Sequence, residues 1–119
     1  MATAAKRKLS GSTNGRGIKV VQTATAGTTI HTAVAGTTAG TFDEIWLYAY
    51  NGHTGNVALT IEFGGATVPD DNIVVTIAFK TGLQLIVPGL ILQNGTVVKA
   101  FSDTGNVISI FGFVNTITD

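Results

Sequence analysis

The stretch Phe42-Asp43-Glu44-Ile45-Trp46-Leu47-Tyr48-Ala49-Tyr50-Asn51 decides the fold that this sequence predicts. Side chains alternate between the two faces of a strand, so one face here is aliphatic and the other is aromatic. The aliphatic set is Ile45, Leu47 and Ala49, and the aromatic set is Trp46, Tyr48 and Tyr50. A strand with one face in water should alternate with polar residues. We therefore expect this strand to be central to the fold or to present its aromatic face to a neighbour.

The chain from residue 18 onward repeats this β pattern in shorter pieces. Val, Ile and Thr are abundant there, and these β-branched side chains pack well on a sheet but lose rotamer freedom in a helix. No window has the sustained apolar period of a helix. Besides 42–51, the predicted strands are 18–25, 28–35, 56–63, 72–80, 83–87, 90–93, 96–102 and 106–114.

Turn residues occur where these strands have to reverse. Asn51-Gly52 and Asp103-Thr104-Gly105 join neighbouring strands, and Asn94-Gly95 is a typical two-residue hairpin loop. Short strands at close spacing are typical of an all-β fold. The sequence predicts an antiparallel β-sandwich, with a jelly roll as the expected type and a small closed barrel as the alternative.

The first residues of the chain differ from the rest in charge and composition. Lys6, Arg7, Lys8, Arg16 and Lys19 are five of the seven basic residues. Residues 1–17 are otherwise small and polar, and such a segment cannot offset the entropy of its own ordering. We expect a flexible, extended basic N-terminal arm over 1–17 and a β-sandwich domain over 18–119.

Charge is scarce in this chain. Charged residues make up 12% and the formal net charge is zero, against about 25% charged residues in an ordinary soluble domain. A free monomer with so little charge is poorly protected against self-association. The pattern indicates a protein that lives in an assembly; a sandwich with Thr, Ser and Asn on its outer faces is the alternative. With no cysteine, no secretory signal and no long apolar run, we expect a soluble protein without a membrane partner.

Motifs of catalysis are not found in the sequence. His31 and His53 lack metal-binding spacing, and we interpret them as a strand-surface residue and a turn residue. Asp70-Asp71-Asn72 gathers oxygen ligands in a loop, where a bound cation is the alternative to a solvated turn. Nucleotide-binding glycine patterns and a nucleophile elbow are absent from the sequence. We expect a protein that is not an enzyme and needs no cofactor or metal.

Two groups of residues are candidates for contact with a partner. The aromatic set of strand 42–51 fits a core or a subunit interface better than a sugar-stacking platform, since Trp and Tyr are enriched at interfaces. The basic arm could bind nucleic acid, a neighbouring subunit, or nothing. Its charges lack interleaved aromatic residues, so nucleic acid is the weaker prediction. The partner-binding candidates are Lys6, Arg7, Lys8, Arg16, Trp46, Tyr48 and Tyr50.

The last two thirds of the chain carry a resemblance to a known class of protein. The matching pieces are Gly40-Thr41-Phe42-Asp43-Glu44-Ile45-Trp46-Leu47, Leu59-Thr60-Ile61-Glu62-Phe63-Gly64-Gly65, Pro69-Asp70-Asp71, Val98-Lys99-Ala100-Phe101-Ser102 and Ile110-Phe111-Gly112-Phe113-Val114-Asn115. In these pieces the chain resembles small virion structural proteins of tailed bacteriophages, those of the capsid decoration (cement) type above all.

The resemblance implies a noncatalytic β-sandwich on the capsid surface. Its partners would be the major capsid protein and further copies of itself, with a homotrimer expected. The sandwich would bridge capsid subunits and the arm would extend the contact. A tail, head-tail junction or fibre-associated component is the alternative within the virion. A carbohydrate-binding module, with the aromatic set exposed as a platform, is the alternative from another class.

Overall fold

Alternating apolar and polar positions favour strands along this chain. The computed structural model describes residues 2–119. These residues form nine strands. They are β1 (Thr3–Lys8), β2 (Ile18–Lys19), β3 (Thr28–Thr32), β4 (Phe42–Asn51), β5 (Val57–Phe63), β6 (Asn72–Ile77), β7 (Gln84–Leu92), β8 (Val97–Ser102) and β9 (Ile108–Thr118). The described part of the chain contains no helix long and apolar enough to cross a membrane.

The strands form two antiparallel sheets that pack as a sandwich. The larger sheet has the order β1-β9-β4-β7, with the short β2 also paired to β9, and the smaller sheet has the order β3-β8-β5-β6. The pairs β1·β9, β3·β8, β4·β7 and β5·β6 are nested, because each pair lies inside the previous one along the chain. The fold class predicted from the sequence, an all-β antiparallel β-sandwich, is therefore confirmed.

The core lies between the two sheets, and β4 contributes the side chains that the sequence predicts. Ile45, Leu47 and Ala49 are fully buried. Complete burial of a Leu or Ile side chain stabilises the fold by about 1.5–3 kcal/mol. The opposite sheet supplies fully buried partners from β3, β5, β6 and β8, which include Ile30, Val57, Leu59, Ile61, Ile77 and Val98. Of the two alternatives predicted for strand 42–51, the central position is confirmed, since β4 lies between β9 and β7.

The strand boundaries differ from the predicted ones chiefly in β2 and β7. The predicted strand 18–25 is wrong beyond its first two residues, since β2 covers only Ile18–Lys19. The predicted strands 83–87 and 90–93 form one strand, and its register against β4 shifts at two points, where extra residues are accommodated as bulges. Gly89 has a φ of 78° beside Pro88, a conformation that side chains other than glycine rarely adopt. The Pro-Gly pair therefore bends β7 without ending it.

The predicted hairpin at Asn94-Gly95 is not formed, because β7 and β8, which this turn connects, belong to different sheets. Asn94 has a φ of 63° and Gly95 a φ of 66°. Two consecutive positive φ angles are those of a type I′ turn. The turn itself is thus present at Asn94-Gly95, and it leads the chain from the larger sheet to the smaller one.

The N-terminal segment differs from the predicted arm. Thr3–Lys8 forms β1, which pairs with β9 in unbroken register from Thr3 opposite Thr118 to Lys8 opposite Phe113. Leu9 is 1% exposed and belongs to the core. The boundary predicted at residue 17 is therefore not a boundary of the fold, because backbone pairing and one buried leucine hold this polar segment against the sheet. The flexibility of the segment stays a prediction.

Candidate functional site

The solvent-facing side of the larger sheet carries a cluster of aromatic side chains, which we call the aromatic face. Its members are Phe42, Trp46, Tyr48, Tyr50, Phe111 and Phe113. Alternate residues of β4 are buried while these are only partly buried, so the predicted separation of aliphatic and aromatic sides is confirmed. Trp46, Tyr48 and Tyr50 lie on the surface of this sheet and outside the core.

The register between β4 and β9 brings aromatic residues opposite one another. Trp46 pairs with Phe113, and Tyr48 pairs with Phe111. The Trp46 and Phe113 rings stack with centroids 6.2 Å apart and planes 12° apart. Lys6 Nζ lies 4.4 Å from the centroid of the Phe113 ring, within the range of a cation–π contact. Phe113 thus contacts both Lys6 and Trp46, which are two of the predicted partner-binding residues. The sequence analysis did not select Phe113 itself.

Two glycines let these rings lie close to the backbone of neighbouring strands. A Cβ on Gly89 would be 2.8 Å from Cζ2 of Trp46, so the indole covers this position of β7. A Cβ on Gly17 would be 2.7 Å from Cζ of Phe111. Gly89 lies in β7, and an aromatic ring that covers a glycine of an adjacent strand also helps to fix the strand register. The rings consequently spread across the sheet as a broad surface.

Glu44 supplies a carboxylate beside these rings. Its Oε1 accepts hydrogen bonds from Trp46 Nε1 at 2.8 Å and from Asn115 Nδ2 at 3.0 Å. The Trp46 bond, and after it the Asn115 bond, lowers the pKa of Glu44 below its ordinary value of 4.5. The carboxylate is therefore ionised and oriented at neutral pH, and the second oxygen, Oε2, has no hydrogen-bond partner among the described residues.

Aliphatic side chains of β7 extend the apolar surface beyond the rings. Leu85 lies opposite Tyr48 and Ile91 opposite Glu44, which places both on the same side of the sheet. They are 47% and 55% exposed. Contiguous apolar surface of this kind on a soluble protein marks an interaction site more often than an isolated exposed leucine does. The surface is suited to contact with another apolar surface.

The remaining basic candidates are distributed over different places. Lys8 lies opposite Phe113 at the border of the aromatic face, and its Nζ donates to the Ser12 carbonyl at 3.0 Å. Arg16 lies in an exposed loop where its backbone N–H donates to the Thr13 carbonyl. Arg7 lies opposite the buried Val114 and lines a cavity on the inner side of the sheet. The structure therefore does not gather the four residues into one basic patch.

His31 is part of a buried polar network, and its interpretation as a strand-surface residue is wrong. It is 4% exposed, and its Nε2 lies 2.6 Å from Oδ2 of Asp43. Nδ1 accepts a hydrogen bond from the Ser10 backbone N–H at 3.0 Å. Asp43 also accepts bonds from the Val34 N–H and the Thr116 hydroxyl. The network crosses both sheets, and sequence spacing gave no signal of it.

This network does not have the geometry of a catalytic triad. Both ring nitrogens of His31 are occupied, and the group of Ser10 that contacts the ring is its backbone N–H. The Ser10 hydroxyl oxygen instead accepts a bond from the Thr32 N–H at 2.7 Å. A serine nucleophile needs its hydroxyl hydrogen-bonded to the base. The arrangement holds strands together and does not activate a nucleophile.

The other polar candidates of the sequence form turns. His53 lies in the β4–β5 turn, where its N–H donates to Oδ1 of Asn51 at 2.8 Å. Asp71 closes its own loop, since its Oδ2 accepts a bond from the Thr67 N–H at 3.0 Å. Across residues 2–119, no three His, Cys, Asp or Glu side chains are placed to hold a metal ion.

Phe111, Phe113, Glu44 and Asn115 are the site residues that the sequence analysis missed. The alternation of Ser109, Phe111 and Phe113 with buried positions of β9 is a signal that could have located two of them. Glu44 and Asn115 meet only because β4 and β9 pair in this register. Comparison of the chain with protein-family models, with curated proteins and with solved structures found no match.

Proposed function

We propose that this protein is a structural component of a bacteriophage particle, a capsid decoration protein that binds and stabilises the head shell. The aromatic face is the observation that carries the proposal. It combines stacked rings, exposed aliphatic side chains and one oriented carboxylate on a domain of low charge. Such a surface buries well against another protein, and Trp and Tyr are frequent anchors of protein interfaces.

The expected partner is the major capsid protein, with the aromatic face against the shell. Lys6 and Lys8 on β1 border the face, so a partner surface with an apolar centre and acidic residues at that border fits it best. The resemblance of residues 40–115 to phage virion proteins supports this choice of partner. A shell repeats one binding site many times, so a homo-oligomer such as a trimer gains affinity by multivalency.

The strand order supports the finer classification of the fold as a jelly roll. Nested pairs divided between two sheets arise when a long antiparallel hairpin of four strand pairs rolls up on itself, with β1·β9 as the outermost pair and β5·β6 as the innermost. Jelly rolls occur in viral capsid proteins and also in lectins. Since one fold hosts many functions, the strand order agrees with the proposal without carrying it.

The proposal is tested by binding to undecorated heads. A Trp46→Ala, Tyr48→Ala double variant should occupy the shell at least about tenfold less than the wild type, because truncating interface anchors commonly costs 2 kcal/mol or more. Val74→Ala is the matched control, since Val74 is 66% exposed but lies on the smaller sheet. Equal occupancy by the double variant and the wild type would refute the role of the aromatic face.

The number of copies per particle distinguishes a decoration protein of the head from a tail or head-tail junction component. A decoration protein is present in hundreds of copies per particle, whereas a head-tail junction or tail component is present in about a ring's worth. Densitometry of purified virions measures the number directly. The absence of the protein from purified particles would exclude both virion roles.

A carbohydrate-binding module is the second candidate, and the Glu44 geometry favours it. An ionised carboxylate with one unoccupied oxygen beside Trp46 and Phe113 could accept a sugar hydroxyl while the rings stack on the sugar. Glycan-array binding that is lost in Trp46→Ala and in Glu44→Gln, but kept in Val74→Ala, would establish this function. Shell binding without any glycan signal would eliminate it.

A further inference from the structure

A cavity of about 520 Å³ opens between the two sheets at the edge formed by β1 and β3. It lies on the inner side of the larger sheet, so it is separate from the aromatic face. Most of its surface is apolar, and the polar groups around it belong to Arg7, Ser10, Thr32, His31, Asp43 and Thr116. A volume of this size is typical of sites for small ligands.

Arg7 brings a positive charge to this cavity without an internal partner. It lies opposite Val114 in the β1–β9 ladder, and Val114 is fully buried, so the Arg7 side chain starts on the core side of the sheet. Among the described residues, no carboxylate lies within 4 Å of the Arg7 guanidinium. The ion pair that these residues do form joins His31 and Asp43. The five N–H donors of Arg7 are therefore available to a bound acceptor.

Asp43, the carboxylate that lines the cavity, is not an ion-pair partner of Arg7. Oδ2 of Asp43 accepts bonds from His31 and from the Val34 N–H, and Oδ1 accepts one from the Thr116 hydroxyl. Because His31 Nδ1 accepts the Ser10 N–H, its ring proton lies on Nε2 and faces Asp43. The negative charge of Asp43 is thus saturated by donors that the fold already supplies.

Further donors face the same space from the smaller sheet and the loop before it. The Ser10 hydroxyl oxygen accepts the Thr32 N–H, which leaves its own O–H to donate. The Thr32 hydroxyl also borders the cavity and makes no hydrogen bond within residues 2–119. We infer that this cavity binds a phosphate group, with Arg7 as the principal ligand and Ser10 and Thr32 as additional donors.

Phosphate fits this donor set better than a carboxylate does. The donors come from β1, from the following loop and from β3, so they approach from different directions, as a tetrahedral oxyanion with several acceptor oxygens requires. A planar carboxylate would meet the Arg7 fork and leave the others unpaired. Since the cavity exceeds the size of one phosphate, the source can be free inorganic phosphate or a phosphomonoester. The inference is independent of the proposed virion role.

The experiment titrates the full-length protein with inorganic phosphate and, separately, with glycerol 3-phosphate, at constant ionic strength held with sodium chloride. We expect shifts of the Ser10 and Thr32 amide resonances and a rise of about 5 °C in Tm at ten times the dissociation constant. Binding of both probes identifies an oxyanion site, and binding of glycerol 3-phosphate alone identifies a phosphomonoester site. A flat titration with both probes overturns the inference.

Two variants test whether the cavity itself binds. Arg7→Gln should weaken binding about tenfold or more, because a hydrogen bond between two charged groups is lost. Arg16→Gln removes the same charge from a loop outside the cavity lining and should leave the affinity unchanged. Equal weakening by both variants would mean general attraction to a basic segment and would overturn the inference. Arg7 is exposed, so its variant is expected to fold.

Discussion

The indole Nε1 of Trp46 donates a 2.8 Å hydrogen bond to Oε1 of Glu44, two residues earlier on the same face of β4. This bond connects the only carboxylate described on the aromatic face to its largest ring. It orients both groups before any partner arrives, which lowers the entropy that binding has to offset. The pair is therefore the best point at which to probe the surface.

Acid titration should report this bond. Because Trp46, and then Asn115, lowers the pKa of Glu44 in the folded protein, its stabilising effect is present above the ordinary pKa of 4.5 and is lost as the pH falls through the folded value. Trp46 fluorescence should change with a midpoint below 4.5. In Asn115→Ala the midpoint should move upward. A midpoint that is the same in both proteins would contradict the role of these donors.

Gly89→Ala should disturb the aromatic face more than its backbone angle alone predicts. Gly89 and Gly82 have nearly equal φ angles of 78° and 79°, but a Cβ on Gly89 meets the Trp46 ring, whereas one on Gly82 meets nothing within 4 Å. Both variants bear backbone strain of about 1–3 kcal/mol. Chemical denaturation should show a greater loss for Gly89→Ala, together with a changed Trp46 emission. Equal losses and unchanged emission would show that the ring moves freely.

Asp43→Ala should be strongly destabilising. The substitution leaves His31, the Val34 N–H and the Thr116 hydroxyl without their acceptor in a buried site. Loss of one partner from a buried charged network costs about 3–5 kcal/mol. Urea denaturation measures the change, with Asp103→Ala at an exposed turn as control and an expected change within about 0.5 kcal/mol. Similar values for the two variants would contradict the structural role of the network.

Glu62 should hold the segment before β3 in place. It is 2% exposed, and its two oxygens accept bonds from the Thr25 hydroxyl and the Gly27 N–H, both at 2.8 Å. Glu62→Ala leaves the Gly27 donor buried and should cost about 2–4 kcal/mol, whereas Thr25→Val removes one bond and should cost about 1 kcal/mol. Hydrogen exchange of the Gly27 amide should accelerate only in Glu62→Ala. Exchange at the wild-type rate would refute this role.

Local pattern was sufficient where a segment's structure depends on its own residues. The alternation in β4 predicted its two faces, and Asn94-Gly95 predicted its turn, because side-chain period and φ preference are properties of short segments. Pattern was misleading for His31 and for residues 1–17. The local pattern around His31 is the same whether the side chain faces water or Asp43. Residues 1–17 are polar, but part of this segment becomes a strand because the edge of β9 can pair with it.

The amino-acid sequence by itself determined that this protein is an all-β sandwich with an aliphatic and an aromatic side to its central strand. Only the tertiary structure decided that the aromatic side faces outward, that Phe113 joins Trp46 to Lys6, and that Arg7 enters a cavity beside a saturated His31–Asp43 pair. The physical reason is register. Which side chains meet across strands far apart in the chain depends on how the strands pair, and strand pairing is a property of the whole fold.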